Sequence, residues 1–448
     1  MGKPHVLAIP YPAQGHVIPL MEVAQRLANS GIRVTFVNTE FNHERVIKAF
    51  SQTGSVHELI ELVSVPDGLE SLEDRNDHGK VAATILKIMP GNLEILIEKI
   101  NRNESDEIIC VLADIYMGWA MEVAEKFGIK KAAFLPASVA MLALTINAEK
   151  LLDDGIVDSN GTPLKNKMIQ LSPSMPKMST MNLAWCLPDL TMRKIIFQSI
   201  IQNNKSIKLA EKLLCNTSHD LEPGALAFLP QHSSLIGPLI SRHGNSSGHF
   251  WPHDSSCLEW LDHQPSNSVI YVAFGSFTVF DQTQFQELAI GLELTNRPFL
   301  WVVRQDMDRA YPIGFEERVK NRGKMVSWAP QQKVLSHPSI ACFMSHCGWN
   351  STIEGVSNGV PFLCWPYFGD QFINQSYICD DWEVGLGLEK DENWIVGHEE
   401  IKNKVEQLLT GDANYKITTL ELQDKIMAGV KDSQKNFYQF VDWIIKGN

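Results

Sequence analysis

The stretch 328–371 gathers side chains that suit a nucleotide carrying phosphates. His346 and Ser351 can donate hydrogen bonds to phosphate oxygens, and Glu354 can accept from two neighbouring hydroxyls such as those of a ribose. Trp328 offers a flat face for a base, and such stacking is typically worth about 1 to 3 kcal/mol. Residues of these types in one short stretch therefore indicate nucleotide binding.

Two further side chains at the end of this stretch suit a sugar. Asp370 can accept hydrogen bonds from hydroxyls, and Gln371 can both donate and accept. Together with the phosphate, ribose and base contacts, they are more than an ordinary βαβ unit requires. The sequence therefore indicates a sugar nucleotide rather than a simple phosphate.

The elements around these residues follow the order strand, turn, helix, strand. Ile340 to Met344 reads as a buried strand, and the following turn leads to a helix that Asn350 or Ser351 should cap. Gly359 ends that helix, and Val360 to Trp365 reads as the next buried strand. A helix that begins at the carboxyl end of a strand presents backbone N–H groups and the positive end of its dipole, which favours phosphate binding.

The 44 residues from Trp328 to Gln371 resemble the signature of the plant secondary product glycosyltransferases. The likeness includes HCGWNS at 346–351, Glu354 and the closing Asp370-Gln371, and similarity extends over almost the whole chain. The family transfers sugars from UDP-sugars to small lipophilic molecules. The resemblance implies an α/β chain of the GT-B fold, with two Rossmann-like, doubly wound parallel-sheet domains facing each other across a cleft.

The resemblance also assigns donor contacts. It implies that uracil is held by Trp328, Ala329 and Gln331, the ribose by Glu354, and glucose by Trp349, Asp370 and Gln371. The diphosphate would be bound by Ser276, His346, Asn350 and Ser351, and Ser138 is a candidate glucose contact. The closing Gln is the family's common indicator of glucose over galactose.

His16 is the candidate general base. It follows the predicted strand His5 to Pro10 in a loop at 13–16, ahead of a helix predicted from Pro19 to Ser30. A histidine in a glycine-flanked loop is, by its type alone, more often an ordinary surface residue. In the resembling family the His of a G-H-x-x-P sequence removes the acceptor's proton, and Gly15 to Pro19 reproduces that sequence.

Asp114 is the candidate partner of that histidine. It follows the buried strand Ile108 to Ala113, where a carboxylate is more often only a helix cap. By resemblance it corresponds to the aspartate that accepts from the catalytic histidine. Such a carboxylate fixes the imidazole tautomer and stabilises the imidazolium that forms during reaction.

The acceptor pocket is the least readable part of the sequence, because the pattern loosens between Leu151 and Asn182. Candidates for lining it are Gln14, Gly15, Tyr116, Met141, Trp185 and Phe368. A single apolar residue of this kind is more often ordinary core than pocket wall.

Composition sets outer limits. The 448 residues carry a formal net charge of −13, which disfavours nucleic acid, and no apolar run is long enough for membrane insertion. The N-terminal apolar run reads as a strand rather than a signal peptide, and eight cysteines without a C-x-x-C pair read as free thiols. We expect a cytoplasmic monomer. His398-Glu399-Glu400 lacks the second His of a zinc motif, so we expect no metal and no cofactor beyond the co-substrate UDP-glucose.

The predicted domains are an acceptor-binding domain at 1–240, a glycine-rich linker at 241–254 and a UDP-sugar-binding domain at 255–430. Two helices, at 414–430 and 437–445, should close the chain, and the segment 431–448 should pack back on the first domain.

The expected activity is inverting transfer of glucose from UDP-glucose to a hydroxyl of a small lipophilic acceptor. A flavonoid, stilbene or other phenol is the first expectation, and a terpenoid or carboxylate the second. Two alternatives stay open: a UDP-sugar epimerase, and a non-catalytic UDP-sugar sensor on the same scaffold. The sequence does not identify the acceptor.

Overall fold

The structure is a computed structural model in which the chain forms two compact units, Met1–Trp251 with Gly429–Asn448, and Pro252–Ala428. The described residues are 3–53, 57–71, 75, 77–103, 106–240, 250, 254–304, 310–411 and 414–446. Most of the predicted linker 241–254 lies outside them.

The first unit is built on a parallel sheet, in which the described residues form seven strands in the order β3-β2-β1-β4-β5-β8-β9. These strands are β1 His5–Ile9, β2 Arg33–Thr39, β3 Ile60–Val65, β4 Cys110–Asp114, β5 Lys130–Leu135, β8 Lys212–Cys215 and β9 Ser233–Leu235. A small antiparallel hairpin adds β6 Met168–Ile169 and β7 Met178–Ser179. The helices of this unit are α1 Gln14–Asn29, α2 Glu40–Thr53, α3 His78–Asn101, α4 Trp119–Lys126, α5 Val139–Ile146, α6 Ala148–Asp153 and α7 Leu190–Ser206.

The second unit contains a six-stranded parallel sheet within the described residues, in the order β12-β11-β10-β13-β14-β15. Its strands are β10 Val269–Ala273, β11 Phe299–Val302, β12 Gly323–Val326, β13 Ile340–Ser345, β14 Phe362–Cys364 and β15 Gly385–Gly387. Its helices are α8 Ser256–Asp262, α9 Gln282–Leu294, α10 Phe315–Val319, α11 Gln331–Leu335, α12 Trp349–Ser357, α13 Gln371–Ser376 and α14 His398–Thr410. A last helix, α15 Tyr415–Lys446, begins in the second unit and ends in the first. The predicted α/β class with two doubly wound sheets is confirmed.

Each sheet has one place where the strand order reverses, between β1 and β4 in the first unit and between β10 and β13 in the second. Open α/β sheets bind ligands at the carboxyl ends of the strands at such a switch point. His16 follows β1 and Asp114 ends β4, while Ser276 follows β10 and His346 follows β13. The topology thus brings the candidate residues to the two switch points.

The last helix corrects one expectation. The sequence predicted two helices, but α15 runs without a break from Tyr415 to Lys446. Residues 431–436, between the two predicted helices, include neither Gly nor Pro, so nothing in them stops the helix. Its buried Ser433 hydroxyl donates to the carbonyl of Gly237, and Phe440 and Ile444 enter the core of the first unit. Among the helices described, none has both the length and the apolar character needed to cross a bilayer.

Candidate active site

His16 and Asp114 form a direct pair in the first unit. His16 Nδ1 lies 2.7 Å from Asp114 Oδ2, and the carboxylate side chain is fully buried whereas 22% of the His16 side chain is exposed. The two residues are 98 positions apart, and β1 and β4 bring them together because Ile9 and Ala113 are register partners. A buried acceptor therefore supports a histidine with an accessible edge.

Asp114 serves both purposes that the sequence allowed. Its Oδ1 accepts from the backbone N–H of Tyr116 at 2.9 Å and caps a short 3₁₀ helix, Ile115–Met117. Because the carboxylate can only accept, the proton of the His16 imidazole is assigned to Nδ1, which leaves Nε2 as the proton acceptor. This is the tautomer that a general base needs.

His16 does not lie in a loop as predicted, but in the first turn of α1, which begins at Gln14. The prediction placed the helix start at Pro19, a residue common at the first helical position. Here Pro19 lies inside the helix and withholds only one backbone hydrogen bond, close to the helix start. The rings of Tyr11 and Tyr116 flank the imidazole, with centroids 5.2 and 5.5 Å from that of His16.

The other acceptor-pocket candidates of the first unit differ in burial. Gly15 is exposed and Tyr116 is half-buried, whereas Gln14 and Met141 are buried. Trp185 is fully buried, its indole N–H donates to the carbonyl of Gly161 at 2.9 Å, and its ring packs 5.2 Å from Phe197. These contacts make Trp185 a core residue in this conformation.

Ser138, the candidate glucose contact, lies fully buried at the N-cap of α5 and accepts from the N–H of Met141. Behind it, the buried Glu222 carboxylate accepts from the N–H groups of Val139 and Ala140 at 2.9 and 2.8 Å. Burial raises the pKa of Glu222 to about 7, an effect that these hydrogen bonds partly oppose. The start of α5 is thus anchored by a carboxyl group that titrates near neutral pH.

The turn at 346–348, which the sequence predicts to bind phosphate and which is called the phosphate turn below, lies between β13 and α12. The N-cap of α12 is Gly348 rather than Asn350 or Ser351, which lie inside the first turn. The first N–H of the helix, that of Trp349, is capped from outside, since it donates to Asp370 Oδ2 at 3.3 Å. The helix start after a buried strand, as predicted from the sequence, is confirmed.

The imidazole of His346, the first residue of this turn, packs closely against Gly275 and Gly348. A methyl group added at Gly348 would lie 2.6 Å from His346 Nε2, and one added at Gly275 would lie 2.7 Å from it. Both positions therefore require glycine for the imidazole edge to keep its place. Burial lowers the pKa of His346 to about 4, an effect that a hydrogen bond to the Ala273 backbone partly opposes, so the ring is uncharged at neutral pH. Ser276, which follows Gly275, is half-buried.

Glu354 is held by a network of amides. Its two carboxylate oxygens accept from Gln331 Nε2 at 2.7 Å and from Gln332 Nε2 at 3.0 Å. Gln331 Nε2 also donates to Ser351 Oγ at 2.9 Å, and its oxygen accepts from the Tyr271 hydroxyl at 3.2 Å. A uracil contact through the Gln331 side chain would disrupt this network. Burial raises the pKa of Glu354, and the hydrogen bonds from the two glutamine amides partly oppose this increase.

The base-binding candidates and Trp349 are placed differently. Trp328 is half-buried at the segment leading into α11, and Ala329 next to it is buried. The Trp349 side chain is buried and its ring centroid lies 6.5 Å from that of Trp382. The backbone N–H of Trp349 contacts Asp370.

Gln371 and Phe368 are joined by the loop before α13. Gln371 Oε1 accepts from the N–H groups of Tyr367 and Phe368 at 2.7 and 3.1 Å. An amide oxygen has two lone pairs, and both are used here. Gln371 was predicted to donate and accept, but in this geometry only its N–H groups are left for a sugar hydroxyl. The Phe368 ring meets that of Phe277 edge-on at 6.3 Å.

Sequence reasoning missed Gln332, which donates to Glu354, Asn374, which donates to Asp370, and Tyr271, which donates to Gln331. Asn374 could have been found, because it lies four residues after Asp370, and in a helix that spacing brings two residues to one face. Tyr271 lies inside β10, where nothing in the sequence marks it. Among the described residues, no group of three or more His, Cys, Asp or Glu side chains could hold a metal ion.

Comparison with known proteins places the chain in a family. Residues 94–424 match the family model described as UDP-glucoronosyl and UDP-glucosyl transferase. UDP-glycosyltransferase 83A1 of Arabidopsis thaliana is 48% identical over 462 residues, covering 99% of this chain and 97% of the relative. The 7-deoxyloganetin glucosyltransferase of Catharanthus roseus is 31% identical, covering 96% and 92%.

Solved structures agree with this placement. Os79 from O. sativa in complex with UDP has a TM-score of 0.81 at 26% identity, covering 98% of this chain and 100% of that one. A Polygonum tinctorium UDP-glucosyltransferase that glucosylates indoxyl, solved with 3,4-dichloroaniline, has a TM-score of 0.83 at 26% identity, covering 99% and 98%. The chain therefore belongs to the UDP-glucuronosyl and UDP-glucosyl transferase family, as a plant-type UDP-glycosyltransferase of the GT-B fold that transfers a sugar from a UDP-sugar to a small molecule.

Proposed function

We propose that the protein transfers glucose from UDP-glucose to a hydroxyl of a small lipophilic acceptor, with inversion at the anomeric carbon. The observation that carries this proposal is the contact between His16 and Asp114 at the switch point of the first sheet. A histidine with a fixed tautomer and a partly exposed ring is suited to remove a hydroxyl proton.

In the proposed mechanism His16 Nε2 takes the acceptor proton as the hydroxyl oxygen attacks the anomeric carbon. The C–O bond to UDP breaks as the new bond forms, and the buried Asp114 carboxylate stabilises the imidazolium that results. A positioned base commonly contributes about 10²- to 10⁴-fold to the rate. Attack from the face opposite UDP gives inversion.

The leaving diphosphate is proposed to be stabilised by protein donors. The proposed donors are the N–H groups at 350–351 in the first turn of α12, the neutral His346 and the Ser351 hydroxyl, with Ser276 and the Asn350 side chain as further candidates. Ser351 Oγ accepts from Gln331, so its own proton can be donated to a phosphate oxygen. In a preorganised site, loss of one such donor costs on the order of 3 kcal/mol.

Glucose is the proposed sugar because Asp370 and Gln371 supply an acceptor and a donor of hydrogen bonds at the start of α13. For the acceptor, we propose a phenolic hydroxyl first, with a terpenoid or carboxylate as the second choice. The named relatives support small acceptors: one glucosylates indoxyl, and a Phytolacca americana relative, 27% identical with a TM-score of 0.79, was solved with pterostilbene. We further propose a monomer, and a cytoplasmic location, with which the eight free cysteines are consistent.

The test incubates the purified protein with UDP-glucose and a panel of phenols, terpenoids and carboxylic acids, and looks for a product heavier by one glucose residue. We expect product to form in the presence of EDTA, and UDP-galactose to compete poorly. His16→Ala should abolish transfer while leaving UDP affinity nearly unchanged. The matched control is His219→Ala, since His219 has a side chain that is 75% exposed.

Three outcomes would overturn the proposal. Conversion of UDP-glucose to another UDP-sugar without an acceptor would identify an epimerase. Binding of UDP-glucose with no turnover on any acceptor would identify a sensor. Undiminished transfer to hydroxyl acceptors by His16→Ala would remove His16 as the base.

A further inference from the structure

Asn374 links the phosphate turn to the carboxylate proposed to bind the sugar. Its side chain is fully buried on α13. One atom, Nδ2, donates to the carbonyl of Cys347 at 2.9 Å and to Asp370 Oδ2 at 2.8 Å. The two hydrogens of a single amide group are therefore both used, one on each part of the site.

The orientation of this amide is set by its partners. A backbone carbonyl and a carboxylate can only accept hydrogen bonds, so the nitrogen and not the oxygen must face them. In this orientation Asn374 Oδ1 is buried, and it has no hydrogen-bond partner within the described part of the chain. A buried acceptor without a partner destabilises the folded state. The fold accepts this cost in the arrangement that supplies two donors.

Asp370 is consequently held from two elements. Its Oδ2 accepts from Asn374 on α13 and from the backbone N–H of Trp349 at the start of α12. The carboxylate thus has a fixed direction relative to the phosphate turn, rather than the rotamer freedom of a surface aspartate. A fixed acceptor is what recognition of a particular hydroxyl requires.

We propose that Asn374 is a positioning residue for the donor sugar, which acts by orienting the Asp370 carboxylate. This rests on the proposed function in one respect, namely that Asp370 contacts the sugar. The carbonyl of Cys347 also accepts from the Thr352 hydroxyl at 3.3 Å, so it keeps a partner when Asn374 is replaced. Asp370 Oδ2 loses the 2.8 Å hydrogen bond from Asn374 and keeps the longer one from the Trp349 N–H, and its side chain can then rotate, whereas the Cys347 carbonyl is fixed by the backbone. The effect of replacing Asn374 therefore falls on the sugar more than on UDP.

The test measures the affinities for UDP-glucose and for UDP by calorimetry, so it needs neither an acceptor nor turnover. Four proteins are compared: the wild type, Asn374→Ala, Asp370→Ala and the double variant. Asn374→Ala should weaken UDP-glucose binding about tenfold or more, as expected for a hydrogen bond to a charged group, and UDP binding less than about threefold. In the Asp370→Ala background, the same replacement should change UDP-glucose binding by less than about twofold.

Two further variants sharpen the test. Asn374→Ser removes one of the two donors with less loss of volume than alanine, so it serves if Asn374→Ala does not fold, with the same pattern expected at smaller size. Asn203→Ala removes a buried asparagine of the first unit that donates nothing to Asp370, and should leave the ratio of the two affinities unchanged.

The outcomes are distinct. Equal losses of UDP and UDP-glucose affinity, or losses in the double variant that multiply those of the single variants, would show a general structural role and overturn the inference. A wild type that binds UDP but not UDP-glucose would overturn the proposed donor instead.

Discussion

Asp114→Asn is the sharpest test of the chemistry in the first unit. The replacement keeps the shape of the side chain and can still accept from the N–H of Tyr116, so the 3₁₀ helix after β4 keeps its cap. In the wild type, His16 Nδ1 lies 2.7 Å from a carboxylate oxygen of Asp114. The replacement changes the chemical nature of the group at that position. An asparagine can turn its NH₂ group toward the ring, which moves the ring proton to Nε2 and blocks the base.

The magnitude follows from the charge. Taking about 4 Å between the centres of the carboxylate and the imidazolium, an effective dielectric constant of about 20 gives an attraction of about 4 kcal/mol. Loss of this stabilisation at the transition state corresponds to a decrease in rate of about 10³-fold. Asp114 is fully buried, so solvent screens this interaction little.

The assay is the initial rate of transfer at saturating UDP-glucose and acceptor, with UDP affinity measured in parallel. We expect kcat to fall about 10³-fold and UDP affinity to stay within about twofold. Asp189→Asn, which alters the N-cap of α7, is the matched control and should leave the rate unchanged. A loss of less than about tenfold in a folded Asp114→Asn protein would refute the assigned role of the carboxylate.

Two further predictions concern the phosphate turn and the start of α5. Gly348→Ala should weaken UDP binding about tenfold, on the order of one lost hydrogen bond, because the added methyl would lie 2.6 Å from His346 Nε2 and displace the imidazole. The control is Gly91→Ala, whose methyl would meet nothing within 4 Å and should leave UDP affinity unchanged. Equal UDP affinities in the two variants would show that the close packing of His346 against Gly348 does not matter for UDP binding. Glu222 has a pKa raised from 4.5 to about 7, so its ionisation destabilises the folded state by up to about 3 kcal/mol above pH 7 and not at all below pH 4.5. Between pH 4.5 and pH 7 the free energy of unfolding of the wild type, relative to that of Glu222→Gln, should fall as pH rises. Urea unfolding of both proteins at a series of pH values measures this difference, and a difference that does not change with pH would contradict the prediction.

Much of the second unit's site was readable from the sequence, because its residues are close in the chain. The strand, turn, helix, strand order from Ile340 to Trp365 needs only local hydrophobic patterns and a glycine stop, and the structure confirms it. The sequence predicted two helices where α15 is continuous, although the cause is local: residues 431–436 contain neither Gly nor Pro.

What the sequence determined by itself is the set of chemical groups: a histidine, carboxylates and amides that follow parallel strands, at the carboxyl edge of one sheet or the other. Only the tertiary structure decided how these groups share their hydrogen bonds. That Asp114 meets His16 depends on β1 lying beside β4, and that Gln331 is engaged by Glu354 and Tyr271 depends on contacts between separate elements. The capacity to donate or accept belongs to a side chain, but whether that capacity is already used depends on neighbours from other parts of the fold.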